Sequence, residues 1–156
     1  MYWNGPPIIK VYEALGCLAD GRISLNGENE AQVSSSSGNK KYIVKYDPYK
    51  NSIIANDNGS YWQGYLGYPS IAFLMVKGVI SFDKNLSQSL GGIAWKAVNT
   101  KFKNDFAETE NYVLDLLSRK KLSPTSVQEK IKIILNEVNV LKLGILEPKI
   151  KPPTGY

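Results

Sequence analysis

Apolar residues first recur at helical spacing. After the proline pair of "NGPPIIKVYEALGCLADGR", Ile8, Val11, Tyr12, Leu15, Leu18 and Ala19 fall three and four apart, which predicts a helix over residues 8–19 that Gly21 stops. The pattern then shortens. "RISL", "AQVSSSS", "KKYIVKY" and "NSIIAN" are short β-branched and aromatic runs separated by "NGENE", "GN" and "DPYKN", so residues 22–56 read as a small antiparallel sheet. In strand alternation Lys41, Ile43 and Lys45 share one face, and Tyr42, Val44 and Tyr46 share the other.

Helical spacing returns after residue 69. Pro69 suits the first turn of a helix over "SIAFLMVKGV", which is apolar on nearly every side and belongs at the centre of a core. Asp83 is placed to cap a short helix over "KNLSQSL", and the glycines at 91–92 end it. "IAWKAVNTKF" fits more than one pattern. Phe106, Val113, Leu116 and Leu117 predict a helix over 104–121, with Asp105 and Glu108 complementing the dipole at its start. "SPTSVQE" restarts the chain, with Ser123 as cap and Pro124 in the first turn.

The final helix repeats apolar residues at 127, 131, 134, 138 and 141, a seam for another helix. Coiled coils sustain such a repeat over at least ~3 heptads, so packing on the 104–121 helix is the expectation and a homodimer through the C-terminal helix the alternative. These elements give an α+β fold: a small antiparallel sheet covered by about five helices in one domain over residues 1–145, followed by a flexible, basic, proline-bearing tail over 146–156.

Composition narrows the chemistry. The 156 residues contain no histidine and one cysteine, Cys17, so the commonest general base, the commonest transition-metal ligand, an intrachain disulfide and a Cys-rich zinc site are all missing. Carboxylate, lysine or tyrosine chemistry survives, and no metal or other cofactor is implied. Net charge is +5, from 19 Lys and Arg against 14 Asp and Glu, without a dense basic block. No apolar run reaches the ~18 residues of a membrane span, and the expectation is a cytoplasmic protein.

One segment carries more rings than a connector needs. "NDNGSYWQGYLGYPSIAFLM" sets Tyr61, Trp62, Tyr65 and Tyr68 among turn residues just ahead of the apolar helix, which suggests a packed or binding surface. "NDNG" also imitates the end of a calcium loop, but Ile54 and Tyr65 would then stand where carboxylates are required. Lys40, Lys41 and Lys45, interleaved with tyrosines, could meet phosphates while a ring stacks on a base. The competing reading is a solvated lysine face opposite a buried aromatic one.

The order "AQVSSSSG", "KKYIVKYD", "NSIIANDN", loop, "GYPSIAFLM" resembles the SWIM zinc-finger family over residues 31–77. Its members pair strands of the type "V.SSSG...Y.V.YD", then place Cys-x-Cys after the next strand and Cys-x-His at the entry of an apolar helix. The resemblance puts Asn56 and Asn58 at the first pair of ligand positions and Gly67 and Pro69 at the second, so all four ligands are replaced. The family is associated with DNA and protein binding. With that resemblance, the basic strand and the aromatic loop read as a non-enzymatic, metal-free binding module that contacts nucleic acid or a protein partner through Lys40, Lys41, Lys45, Tyr61, Trp62 and Tyr65. The alternatives are a homo-oligomeric structural protein and an enzyme using carboxylates or tyrosines in a cleft between sheet and helices.

Overall fold

A computed structural model describes residues 1–154. Helix α1 (Ile9–Ala19) leads into a meander of β1 (Ile23–Leu25), β2 (Glu30–Ser34), β3 (Lys41–Asp47) and β4 (Ser52–Ala55). A π-helical turn over Gly59–Gln63 follows, then α2 (Tyr68–Val76), α3 (Lys84–Ser89), α4 (Trp95–Lys101), α5 (Phe106–Arg119), α6 (Pro124–Val140) and β5 (Gly144–Ile145). The fold is α+β, and the sheet runs β1-β2-β3-β4-β5. Its first four strands are antiparallel neighbours; β5 lies parallel to β4, with Ser52 opposite Gly144 and Ile53 opposite Ile145.

Register assigns the two faces of the sheet. Val33 pairs with Tyr42, and Ala31 and Ala55 flank Val44, so these side chains share the inner face with Ile53, on which α2 rests. Lys41, Ile43 and Lys45 point outward and are exposed. Helix α2 is buried from Pro69 to Met75, as its all-round apolar sequence demands. Helix α1 goes further than its predicted single face. Ile9 and every residue from Val11 to Cys17 are buried, because α2, α3, α5 and α6 all pack against it.

The seam of α6 closes on the chain itself. Val127, Ile131, Ile134 and Val138 are buried, with α5 and α1 as neighbours, so this face is spent within the domain. The predicted caps form: Asp83 accepts from the Leu86 N–H, Asp105 from Glu108, and Ser123 from Ser126.

The chain's first residues close the sheet. Trp3 N–H donates to the Leu143 carbonyl at 3.0 Å, and its indole Nε1 donates to the Ile53 carbonyl at 2.8 Å. Asn4 bridges to Tyr65, which ties the N-terminal segment to the aromatic loop. The segment expected as a tail also contacts the sheet. Leu146 N–H donates to the Ile53 carbonyl, and the Lys151 carbonyl accepts from Asn56 Nδ2. Its last two positions lie outside the described residues.

A candidate binding cleft between the sheet and the helices

The aromatic loop is organised by a buried carboxylate. Asp57 accepts from the Ser60 N–H at 3.2 Å and the Ser60 hydroxyl at 2.7 Å, and the same hydroxyl receives the Gly67 N–H at 3.3 Å. Asp57 thereby joins the start of the π-helical turn to the start of α2. Gly64 ends the turn at φ 75°, a left-handed conformation glycine adopts at little cost. A Cβ on Gly59 would lie 2.6 Å from Tyr65 Cε1, so only glycine lets that ring close on the turn. Trp62 is left 65% exposed, held edge-on by Tyr61 with ring centroids 4.6 Å apart.

Behind Trp62 opens a cleft of about 540 Å³. Among the described residues, four cationic side chains line it, Lys10, Arg22, Lys40 and Lys96, with one carboxylate, Glu13. Ring walls come from Tyr42, Tyr65, Tyr68, Trp95 and Phe106. The elements supplying them are distant in sequence: α1, the strap before β1, the β2–β3 hairpin, the aromatic loop, α4 and the entry of α5.

Its floor is an ion pair. Lys10 Nζ stands 2.8 Å from Glu13 Oε2, and Glu13 Oε1 accepts from Asn99 Nδ2 at 3.3 Å. Burial holds the Glu13 carboxyl above the ordinary carboxylate range even though Lys10 opposes it. Burial alone would lower the Lys10 ammonium, but Glu13, with Tyr65 and Asp57 acting in the same sense, leaves it raised. Beneath the loop, burial likewise raises Asp57 against the hydrogen bonds from Ser60. Tyr42, Tyr65 and Tyr68 are all raised by burial and stay neutral phenols.

Arg22 is oriented before any ligand arrives. Its Nη1 donates to the Ser34 carbonyl at 2.8 Å, and its guanidinium lies 5.6 Å from the Tyr68 ring centroid. Opposite, the hairpin tip is tied to α4, where the Lys96 N–H donates to Ser36 Oγ at 3.1 Å.

The fold divides the residues singled out in the sequence. Lys40, Trp62 and Tyr65 line the cleft, and Tyr61 supports Trp62. Lys41 and Lys45 stand on the opposite face of the sheet, where Lys45 lies 3.8 Å from Glu30 across the strand pair. Lys40 falls on the inner side because it shares the alternation of Tyr42 and Val44. The two asparagines part company: Asn56 is buried between the Ile43 N–H and the Lys151 carbonyl, whereas Asn58 lines the cleft. Gly67 sits against Asp57, and Pro69 opens α2. Among the described residues no group of three or more His, Cys, Asp or Glu side chains is placed to hold a metal ion. Cys17 is buried, and burial pushes its thiol up to about 11. No helix among the described residues is long and apolar enough to cross a membrane.

The sequence reading missed Lys10, Glu13, Arg22, Trp95 and Asn99. A signal existed for the first two: a lysine and a glutamate three apart interrupt a helix that is otherwise apolar. Trp95 and Asn99 stand on α4, the segment whose pattern fitted several elements, and only the tertiary fold brings them to α1.

Residues 3–144 match the family described as Uncharacterised conserved protein UCP014422, and the chain belongs to that family. No curated protein and no solved structure matches it.

Proposed function

We propose that this family member is a non-enzymatic binding module that holds single-stranded nucleic acid in the cleft, with Trp62 as the stacking platform at its mouth. One observation carries the reading: Lys40, Trp62 and Tyr65 meet in a cleft whose described lining holds four cations and one carboxylate. Cations follow the phosphates and rings receive the bases, the combination that single-strand binders use without reading sequence. A cleft between 300 and 1,000 Å³ is the usual size for bound ligands, and this one lies within that range at about 540 Å³.

Four cations allow few phosphate contacts, so binding should be weak, with a log–log salt slope no steeper than about −3 for a single strand. Fluorescence anisotropy with labelled DNA and RNA oligonucleotides at low salt tests this. Saturable binding that weakens as salt rises is the expected result. No binding of single- or double-stranded DNA or RNA would overturn the reading and leave a protein partner as its replacement.

Glu13 supports a second reading, a carboxylate enzyme, because it combines burial with a raised carboxyl in a cleft beside three tyrosines. Its surroundings favour binding instead. One Glu13 oxygen faces Lys10 and the other faces Asn99, and among the described residues no second carboxylate lines the cleft to share acid and base roles.

A further inference from the structure

Resting on the nucleic-acid reading, we propose that the floor of the cleft reads one base of the bound strand and selects guanine, through Lys10, Glu13 and Asn99, while the bases outside stack unread.

These polar side chains stand in a fixed order. Glu13 is in the middle: Lys10 Nζ lies 2.8 Å from its Oε2, and Asn99 Nδ2 donates to its Oε1 at 3.3 Å. All of them line the cleft, and Glu13 and Asn99 are only 4% and 8% exposed. Asn99 gives its amide donor to Glu13, so its Oδ1 is left to accept. Among the described residues that oxygen has no hydrogen-bond partner, and Glu13 Oε2 has none besides its ion pair with Lys10. Acceptors shut away from water and left unfilled are costly, so the floor calls for a ligand that brings donors. The Lys10 ammonium, for its part, carries more N–H groups than its contact with Glu13 uses.

The order decides which base can fill the floor. Read across, it offers a donor from Lys10, an acceptor from Glu13 and an acceptor from Asn99. Guanine's Watson–Crick edge carries the complement in the same order: the O6 acceptor, the N1–H donor and the N2 amino donor. Adenine and cytosine place a ring-nitrogen acceptor against the Glu13 carboxylate, whichever way the base is turned. Thymine and uracil meet Lys10 and Glu13 correctly, but their second carbonyl faces Asn99 Oδ1, another acceptor. Guanine alone of the common bases meets every group.

The test places one variable base in the middle of a short oligoadenylate and measures binding by fluorescence anisotropy. Guanine should tighten binding at least about tenfold over adenine or cytosine at that position, the discrimination of one good bidentate contact. Hypoxanthine, which keeps O6 and N1–H but lacks the 2-amino group, should fall between guanine and adenine. 7-Deazaguanine should bind as guanine does, because the edge it alters is not the one read. Asn99→Ala should erase the difference between guanine and hypoxanthine while leaving both ahead of adenine, a selective change that a merely structural role would not produce. The base series on the natural chain decides the matter without that variant if it fails to fold. Equal binding of all the bases to the natural chain would overturn base reading while the nucleic-acid reading stands. A difference between guanine and hypoxanthine that survives Asn99→Ala would overturn it as well. Failure of every oligonucleotide to bind removes the underlying reading.

Discussion

Lys10 and Glu13 form an ion pair of 2.8 Å on the largely buried helix α1, with side chains only 14% and 5% exposed. Charges taken this far out of water lose several kcal/mol of hydration each, which their mutual attraction recovers only while both are present. Lys10→Met should therefore cost about 3–5 kcal/mol by stranding the carboxylate, and Glu13→Leu a similar amount. The double replacement should cost well under the sum. Urea melts of the four proteins measure the coupling, and additivity within about 0.5 kcal/mol would show that the pair does not act as a unit.

Asp57 gives a pH dependence of definite sign. Its folded-state carboxyl binds a proton more tightly than in the unfolded chain, because burial outweighs the Ser60 hydrogen bonds. The stability it contributes is fully present below the unfolded value of about 3.9 and is lost as pH rises through the folded value. The stability of the natural chain minus that of Asp57→Asn should accordingly fall as pH rises above the unfolded value of about 3.9. Melts of both proteins across that range check it, and a flat difference would mean that Asp57 titrates as an ordinary carboxylate.

The tryptophans separate binding from folding. Trp95 is 2% exposed, and Trp95→Ala should destabilise by about 3–5 kcal/mol. Trp62→Ala removes a largely exposed ring, so stability should change by no more than about 0.5 kcal/mol while nucleic-acid affinity drops by about 1–3 kcal/mol. Thermal denaturation and anisotropy on the same preparations test both, and a Trp62→Ala protein that melts far below its parent would place that ring in the core.

Local signals carried most of the fold. Asp83, Asp105 and Ser123 each reveal a helix start because a cap depends on backbone only three residues away. The meander was legible for the same reason, since each hairpin is closed by its own turn. Strand β5 was not, because two residues carry no periodicity and their partner β4 lies about ninety positions back in the chain. The cleft was half legible. Lys40, Tyr42, Trp62, Tyr65 and Tyr68 lie in one stretch of the sequence, but Lys10, Arg22, Trp95, Asn99 and Phe106 join them only through packing between distant elements. The three lysines grouped together in the sequence part at β3, where Lys40 lines the cleft and Lys41 and Lys45 stand on the opposite face of the sheet.

The bridge between Tyr2 and Gly144, with the Trp3 N–H on the Leu143 carbonyl, also bears on the order of assembly. Contacts between residues this far apart are the slowest to form, because almost the whole chain must be ordered before they repay the entropy of closing it. During synthesis the first residues must wait for the last sheet strand to emerge. Asn4, next along, bridges to Tyr65 in the loop that presents Trp62. The cleft's mouth is thus fastened to a segment whose own anchor lies at the far end of the chain, so removing residues 143 and beyond should loosen Trp62 while the meander, closed by local turns, is left in place.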